Sequence, residues 1–195
     1  MEIANFRFFY YNFSARLAVR LMNKFKNNFA YIDGNNLYRG IKDSGWVLDF
    51  FRFRRWLRDK YGVEQAYYFV GLLPKERKLY IFLQKAGFIL IFKDVVYDSG
   101  GKPKGNCDAD LVLQSAIDAY ENGGQKQVLV TSDGDYAGLV KFLQDKELLI
   151  SVVSPREKEK CSFLLKKTKA PIVFLGEVKN KIAYKKKNPP IRTEP

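Results

Sequence analysis

Five aspartates stand where acids can gather. They are Asp33, at the end of the apolar run "FAYID", Asp108 and Asp110 in "NCDADL", and Asp133 and Asp135 in "TSDGDY", directly after "QVLV". Carboxylates crowded at one point repel one another unless a cation sits among them, and hard oxygen ligands suit magnesium or manganese. Each acid also has a structural use: Asp108 and Asp135 can cap helices, and Asp33 can brace a turn. That all five serve only in this way is the weaker explanation. The chain of 195 residues contains no histidine. This excludes a Ser-His-Asp triad, a Cys-His pair and histidine acid–base ribonuclease chemistry. Carboxylates working with Mg2+ or Mn2+ are then the readiest means of chemistry near neutral pH.

The elements around these acids alternate. From Phe29 onward, short apolar runs ("FAYID", "QAYYFVGL", "FILIFKDVVYD", "QVLV", "LLISVVS", "IVFLG") are separated by segments of helical period. The segment "VLDFFRFRRWLRDKYG" predicts a helix with Phe50, Phe53, Leu57 and Tyr61 inward. Its arginines Arg52, Arg55 and Arg58 read as a solvated face. "CDADLVLQSAIDAYENGG" predicts a helix capped by its own aspartates, and "REKEKCSFLLKKTK" a basic helix. Such alternation means an α/β fold, a three-layer α/β/α sandwich with a mainly parallel central sheet. Reactive groups in such sheets collect at the carboxyl ends of the strands where strand order reverses. With the order 3-2-1-4-5, Asp33 and Asp133 end neighbouring strands, and Asp108 and Asp110 reach the same crevice from the side.

The stretches "YIDGNNL", "KGNCDADLVLQSAIDA" and "TSDGDY", in this order and at these separations, resemble the NYN domain, specifically its LabA-like branch within the PIN-like nuclease superfamily. The similarity extends over about Phe29 to Lys187. It implies a Mg2+- or Mn2+-dependent nuclease, a hydrolase acting most often on RNA. Carried over by position, it implies catalytic roles for Asp33, Asn36, Asp108, Asp133 and Asp135. The metal ligands would be Asp33, Asp108, Asp133 and Asp135, with Asp110 a less secure addition. Asn36 suits a ligand water or a substrate phosphate, and equally the backbone of a turn. The competing expectation is a catalytically weak or inactive member that binds RNA or regulates a partner.

Charge divides the chain unevenly. The net +13 is carried as +4 over Met1 to Asn28, +1 over Phe29 to Pro155 and +8 over Arg156 to Lys187. Basic ends flanking a near-neutral middle predict a polyanionic partner, nucleic acid ahead of an anionic membrane, and the family resemblance favours RNA. Lys102 and Lys104, in the glycine-rich loop before Asp108, and Lys185, Lys186 and Lys187 in the tail are the candidate phosphate contacts. The expected division is a basic aromatic extension over 1–27, the nuclease domain over 28–176 and a basic segment over 177–195. Met22 is a second candidate start. No apolar run reaches the ~18 to 20 residues of a membrane span. Cys107 and Cys161 lie far apart in no CxxC pattern, as free thiols of a reducing, cytoplasmic compartment do. A homodimer is left open.

Overall fold

The computed structural model describes residues 27–97, 100, 103–104, 106–121 and 125–185, with the backbone alone for 96–97 and 103–104. The expected extension up to residue 26, Lys102, Lys186, Lys187 and the side chain of Lys104 lie outside the described residues.

The central strand β1 (Asn28–Asp33) is buried at every position. It pairs in parallel with β2 (Val63–Gly71) on one side and β6 (Gln127–Val130) on the other. Outward from these lie β3 (Ile89–Lys93), β7 (Leu149–Ser154) and β8 (Ile172–Phe174), giving the order β3-β2-β1-β6-β7-β8. The expected order of the first five sheet strands holds, and the short last run adds a sixth. A separate antiparallel pair, β4 (Val96–Tyr97) with β5 (Pro103–Lys104), breaks away from what the sequence predicts as one continuous third strand.

Because alternate residues of a strand face opposite sides, β1 feeds two cores. Ala30 and Ile32, with Val128 and Val130 of β6, pack under α1 (Gly34–Asp43), α2 (Phe50–Tyr61), α3 (Arg77–Lys85) and α7 (Lys179–Ile182). Phe29 and Tyr31, with Leu129, pack under α4 (Asp108–Glu121), α5 (Ala137–Asp145) and α6 (Phe163–Lys167). Three layers result. Helix α2 starts where the Asp49 side chain accepts the Arg52 N–H at 3.1 Å and stops where Gly62 turns left-handed, φ 66°. Its Phe53, Trp56, Leu57 and Tyr61 are buried, each contributing roughly 1.5–3 kcal/mol of transfer free energy.

Three local expectations need correction. The stretch after Asp33 is a helix, α1, and not merely a turn. The predicted basic helix contracts to α6, five residues begun by Ser162, whose hydroxyl accepts the Leu164 N–H at 3.2 Å. At the start of α4 it is Asn106 Oδ1, not an aspartate, that accepts the Asp108 N–H, at 3.1 Å.

Helix α4 is fastened along its length. Tyr31 donates its hydroxyl to Asp118 at 2.6 Å, and Ser115 donates to Gln127 at 2.5 Å. These bonds join α4 to β1 and β6, so its first turn arrives at the carboxyl ends of both. The chain's last described stretch returns across the α2 face: Leu48 bridges Ala183, and Tyr184 N–H donates to Val47 O at 2.9 Å. Among the described residues no helix is long and apolar enough to cross a membrane.

Candidate active site

Asp33 ends β1 and begins α1. Its Oδ1 accepts the Asn36 N–H at 3.0 Å, and the residue is only 9% exposed. The helix turns away at once because Gly34 has no side chain: a Cβ there would strike the Tyr68 ring and come within 2.7 Å of the Phe69 carbonyl. Asp133 ends the loop after β6 and caps the following turn, its Oδ1 accepting the Asp135 N–H at 3.2 Å. The glycine between these two acids has a matching reason. A Cβ on Gly134 would collide with the Ser162 hydroxyl and lie 3.2 Å from Leu164, so only glycine lets this loop rest on the start of α6.

Tyr136 joins the acids. Its hydroxyl donates to Asp108 Oδ1 at 2.5 Å and lies 3.4 Å from Asp33 Oδ2. Those two carboxylate oxygens are therefore within about 6 Å of each other, a spacing that one or two oxygen-liganded cations can bridge. Burial raises the pKa of Asp33, and the nearby charges of Asp108 and Asp133 raise it further, against the lowering effect of the Asn36 amide and the Tyr136 hydroxyl. The Tyr136 phenol is itself pushed far up, chiefly by burial and then by Asp33 and Asp108. It stays protonated as a donor. Cys107, half-buried beside the cluster, is pushed up to about 11 by burial and by the charges of Asp33, Asp110 and Asp108, which makes it an unreactive thiol. Both cysteines are free, as the sequence predicts.

The remaining candidates divide. Asn36 Oδ1 accepts both the Ser132 N–H at 2.9 Å and the Ser132 hydroxyl at 2.7 Å, tying the loop after β1 to the loop after β6. Its side-chain amide nitrogen has no hydrogen-bond partner among the described residues. Asp110 is held by Lys93, whose Nζ lies 3.0 Å from Oδ2 and donates to Oδ1 at 3.2 Å. That ion pair draws it toward β3. Asp135 contributes its amide to Asp133 and keeps an exposed side chain. Lys185 is exposed beside the α1–α2 connection, on the α2 face. Among the described residues no three Cys, Asp or Glu side chains stand close enough to hold a metal ion. The structure thus couples Asp33 with Asp108 and Asp133, and sets Asp110 and Asp135 to the side.

The donor set still fits a hard divalent ion. Mg2+ is usually held by one or two carboxylates, with waters and substrate phosphates completing its shell, rather than by an all-protein cage. Asp33 and Asp108 face one another with a single hydroxyl proton between them, a deficit of positive charge that such an ion corrects. Sequence reasoning missed Tyr136, Ser132 and Lys93. Tyr136 closes the quoted motif "TSDGDY", three residues after Asp133, and that proximity was its only signal.

A family model described as NYN domain matches residues 29–173. The chain is 26% identical over 136 residues to "Low amplitude and bright protein LabA" of Synechococcus elongatus, an alignment covering 64% of this chain and 71% of LabA. The crystal structure of a Vibrio parahaemolyticus protein of unknown function aligns with a TM-score of 0.65 at 21% identity, covering 82% of this chain and 98% of the other. That likeness is one of fold.

Proposed function

This chain belongs to the NYN domain family, and from that premise we propose that it is a Mg2+- or Mn2+-dependent nuclease that hydrolyses phosphodiester bonds, RNA being its main substrate. The observation that carries the proposal is the buried Asp33, raised in pKa, at the end of the central strand with Asp108 and Asp133 around it. A fold does not by itself specify a reaction, but uncompensated carboxylates at a sheet's switch point call for a cation.

Asp33, Asp108 and Asp133 are the residues that would hold the ion, with Asp135 at the exposed edge. The chemistry supplied by bound Mg2+ or Mn2+ is neutralisation of charge on the scissile phosphate and a lowered pKa for the attacking water. Tyr136 keeps its proton and donates a hydrogen bond to Asp108, which fixes the orientation of that carboxylate. Asn36, its oxygen engaged by Ser132, offers its Nδ2 to a phosphate oxygen of the substrate. Lys93 neutralises Asp110, so that acid adds little repulsion toward an incoming polyanion. Lys102, Lys104, Lys185, Lys186 and Lys187 are assigned to the phosphate backbone on charge alone. Hydrolysis in this arrangement leaves a 5′ phosphate and a 3′ hydroxyl.

One observation favours a second reading, a member that binds RNA without cutting it: among the described residues no three acids are preassembled at metal-holding distance. Incubating the purified protein with labelled RNA and DNA oligonucleotides in Mg2+, in Mn2+ and in EDTA separates the two. The expected result is metal-dependent cleavage of RNA that falls at least 100-fold in Asp133→Asn, a loss typical of removing one part of a charge-stabilising site. Binding without cleavage under all three conditions establishes the second reading instead.

A further inference from the structure

An open cleft of about 510 Å³ lies away from the acids, lined by Arg52, Arg55, Trp56, Asp59 and Lys60 of α2 and by Lys181 of α7. It exists because α7 is anchored beside the start of α2. Ile182 is fully buried, and its carbonyl accepts the Asp49 N–H at 2.9 Å. Lys181 is thereby brought to the outer row of α2. Asp49 and Asp59 are each already engaged, with Arg52 at 3.2 Å and Arg58 at 3.0 Å. Arg55, Lys60 and Lys181 have no ion-pair partner among the described residues. Lys60 sits over the rings of Trp56 and Tyr61, at 5.2 and 5.0 Å. The exposed Lys185 follows from the same segment.

Cations collected around one solvent-filled volume repel one another until an anion arrives. Small-molecule pockets are mostly apolar with a few polar groups. Here the one aromatic ring lining the cleft is Trp56, and it is 8% exposed, so the charged ends of Arg52, Arg55, Lys60 and Lys181 set what the cleft attracts. From Arg52 to Lys60 the row runs about 12 Å along the helix at 1.5 Å per residue. That is long enough for more than one phosphate of an extended strand. We propose that the α2–α7 cleft is a second nucleic-acid contact, gripping the phosphate backbone of single-stranded RNA at a distance from the acidic crevice. The choice of ligand rests on the RNA reading above. The cleft itself does not require that the protein cut.

Fluorescence anisotropy with labelled oligouridine of about 30 and about 4 nucleotides, in EDTA over a salt series, tests this on the full chain. Arg55→Gln/Lys181→Gln removes two exposed cations from the cleft, and Lys85→Gln/Lys126→Gln removes two exposed cations elsewhere. The cleft variant is expected to bind the long RNA about tenfold more weakly, with a salt slope shallower by roughly 1.4 at about 0.7 per phosphate contact. The control variant keeps wild-type affinity and slope, and short RNA binds alike to all. An unchanged slope in the cleft variant, an equal loss in the control, or no binding of RNA by the wild-type protein overturns the proposal. So does a cleft variant that loses binding to phosphatidylserine vesicles while keeping its RNA affinity. The nuclease assignment is decided separately, by metal-dependent cleavage in wild type and Asp133→Asn, so either can fail while the other stands.

Discussion

The two ends of the β1–β6 pair both bury polar side chains and treat them in opposite ways. At the amino end, Asn28 is 4% exposed and neutral, and it satisfies three neighbours. Its N–H donates to Gly62 O at 3.1 Å, its amide donates to Tyr61 O at 2.6 Å, and its oxygen accepts the Lys126 N–H at 3.2 Å. Gln127 beside it is fully buried and exchanges two hydrogen bonds with Ser115. At the carboxyl end, Asp33 is 9% exposed, yet it is an acid whose pKa burial raises, and it meets two more acids, with one phenolic proton between it and Asp108. Paired neutral amides stitch the sheet to its connections at little net cost. Crowded carboxylates impose a standing cost on the fold, one that a cation placed among them can offset.

The strongest way to break this contrast is to exchange the chemistry of the two ends. Asn28→Asp puts a charge among two carbonyls and removes the donor to Tyr61, and it should destabilise the protein by about 3 kcal/mol or more. The mirror change, Asp33→Asn, keeps an oxygen for the Asn36 amide and removes the repulsion. It should stabilise the metal-free protein by on the order of 1 kcal/mol while abolishing metal-dependent cleavage. Urea denaturation in EDTA measures both, and a destabilised Asp33→Asn would sink the idea of a strained carboxyl end.

A smaller effect comes from metal alone. Millimolar Mg2+ or Mn2+ should raise the melting temperature of the wild type, by about 1.4 kcal/mol of stability at ten times the dissociation constant, and leave Asp33→Asn nearly unmoved. Equal shifts in both would place the ion somewhere other than the crevice. The smallest effect is in pH. A carboxyl whose pKa is raised by folding contributes stability that is complete below its unfolded value, near 3.9, and lost as pH rises through the raised folded value. In EDTA, the stability advantage of Asp33→Asn over wild type should therefore grow as pH climbs through the folded pKa of Asp33 and level off above it. An advantage that shrinks with rising pH reverses the assigned sign.

The contrast also marks what the sequence could and could not convey. Alternating apolar runs and helical periods announce the parallel sheet, and acids placed just after "FAYID" and "QVLV" announce the crevice, because strand ends and polar punctuation are local signals. Helix α1 is hidden behind Gly34, Asn35 and Asn36, poor helix formers. It forms because Asp33 caps it and because Leu37 and Ile41 find the core. Tyr136 is indistinguishable from a core aromatic until Asp108 is brought to it from 28 residues away. Asp110 reads as one more acid of the cluster, and only the approach of β3 supplies its Lys93. The arginines of α2 read as a solvated face because Lys181, which closes the cleft, is remote in the chain. Contacts made by tertiary packing leave no local trace.

The hydrogen bonds from Ser132 to Asn36 join residues 96 apart in the chain. While the chain emerges from the amino end, β1, β2 and β3 can pair among themselves, and Asp33 exists for that interval without Asp108 or Asp133 against it. Closing so long a loop comes late on entropic grounds, since non-local pairing is slow to form. The order of assembly thus places the confrontation of the acids last. On the nuclease reading proposed above, a growing chain would lack its acid cluster until β6 docks.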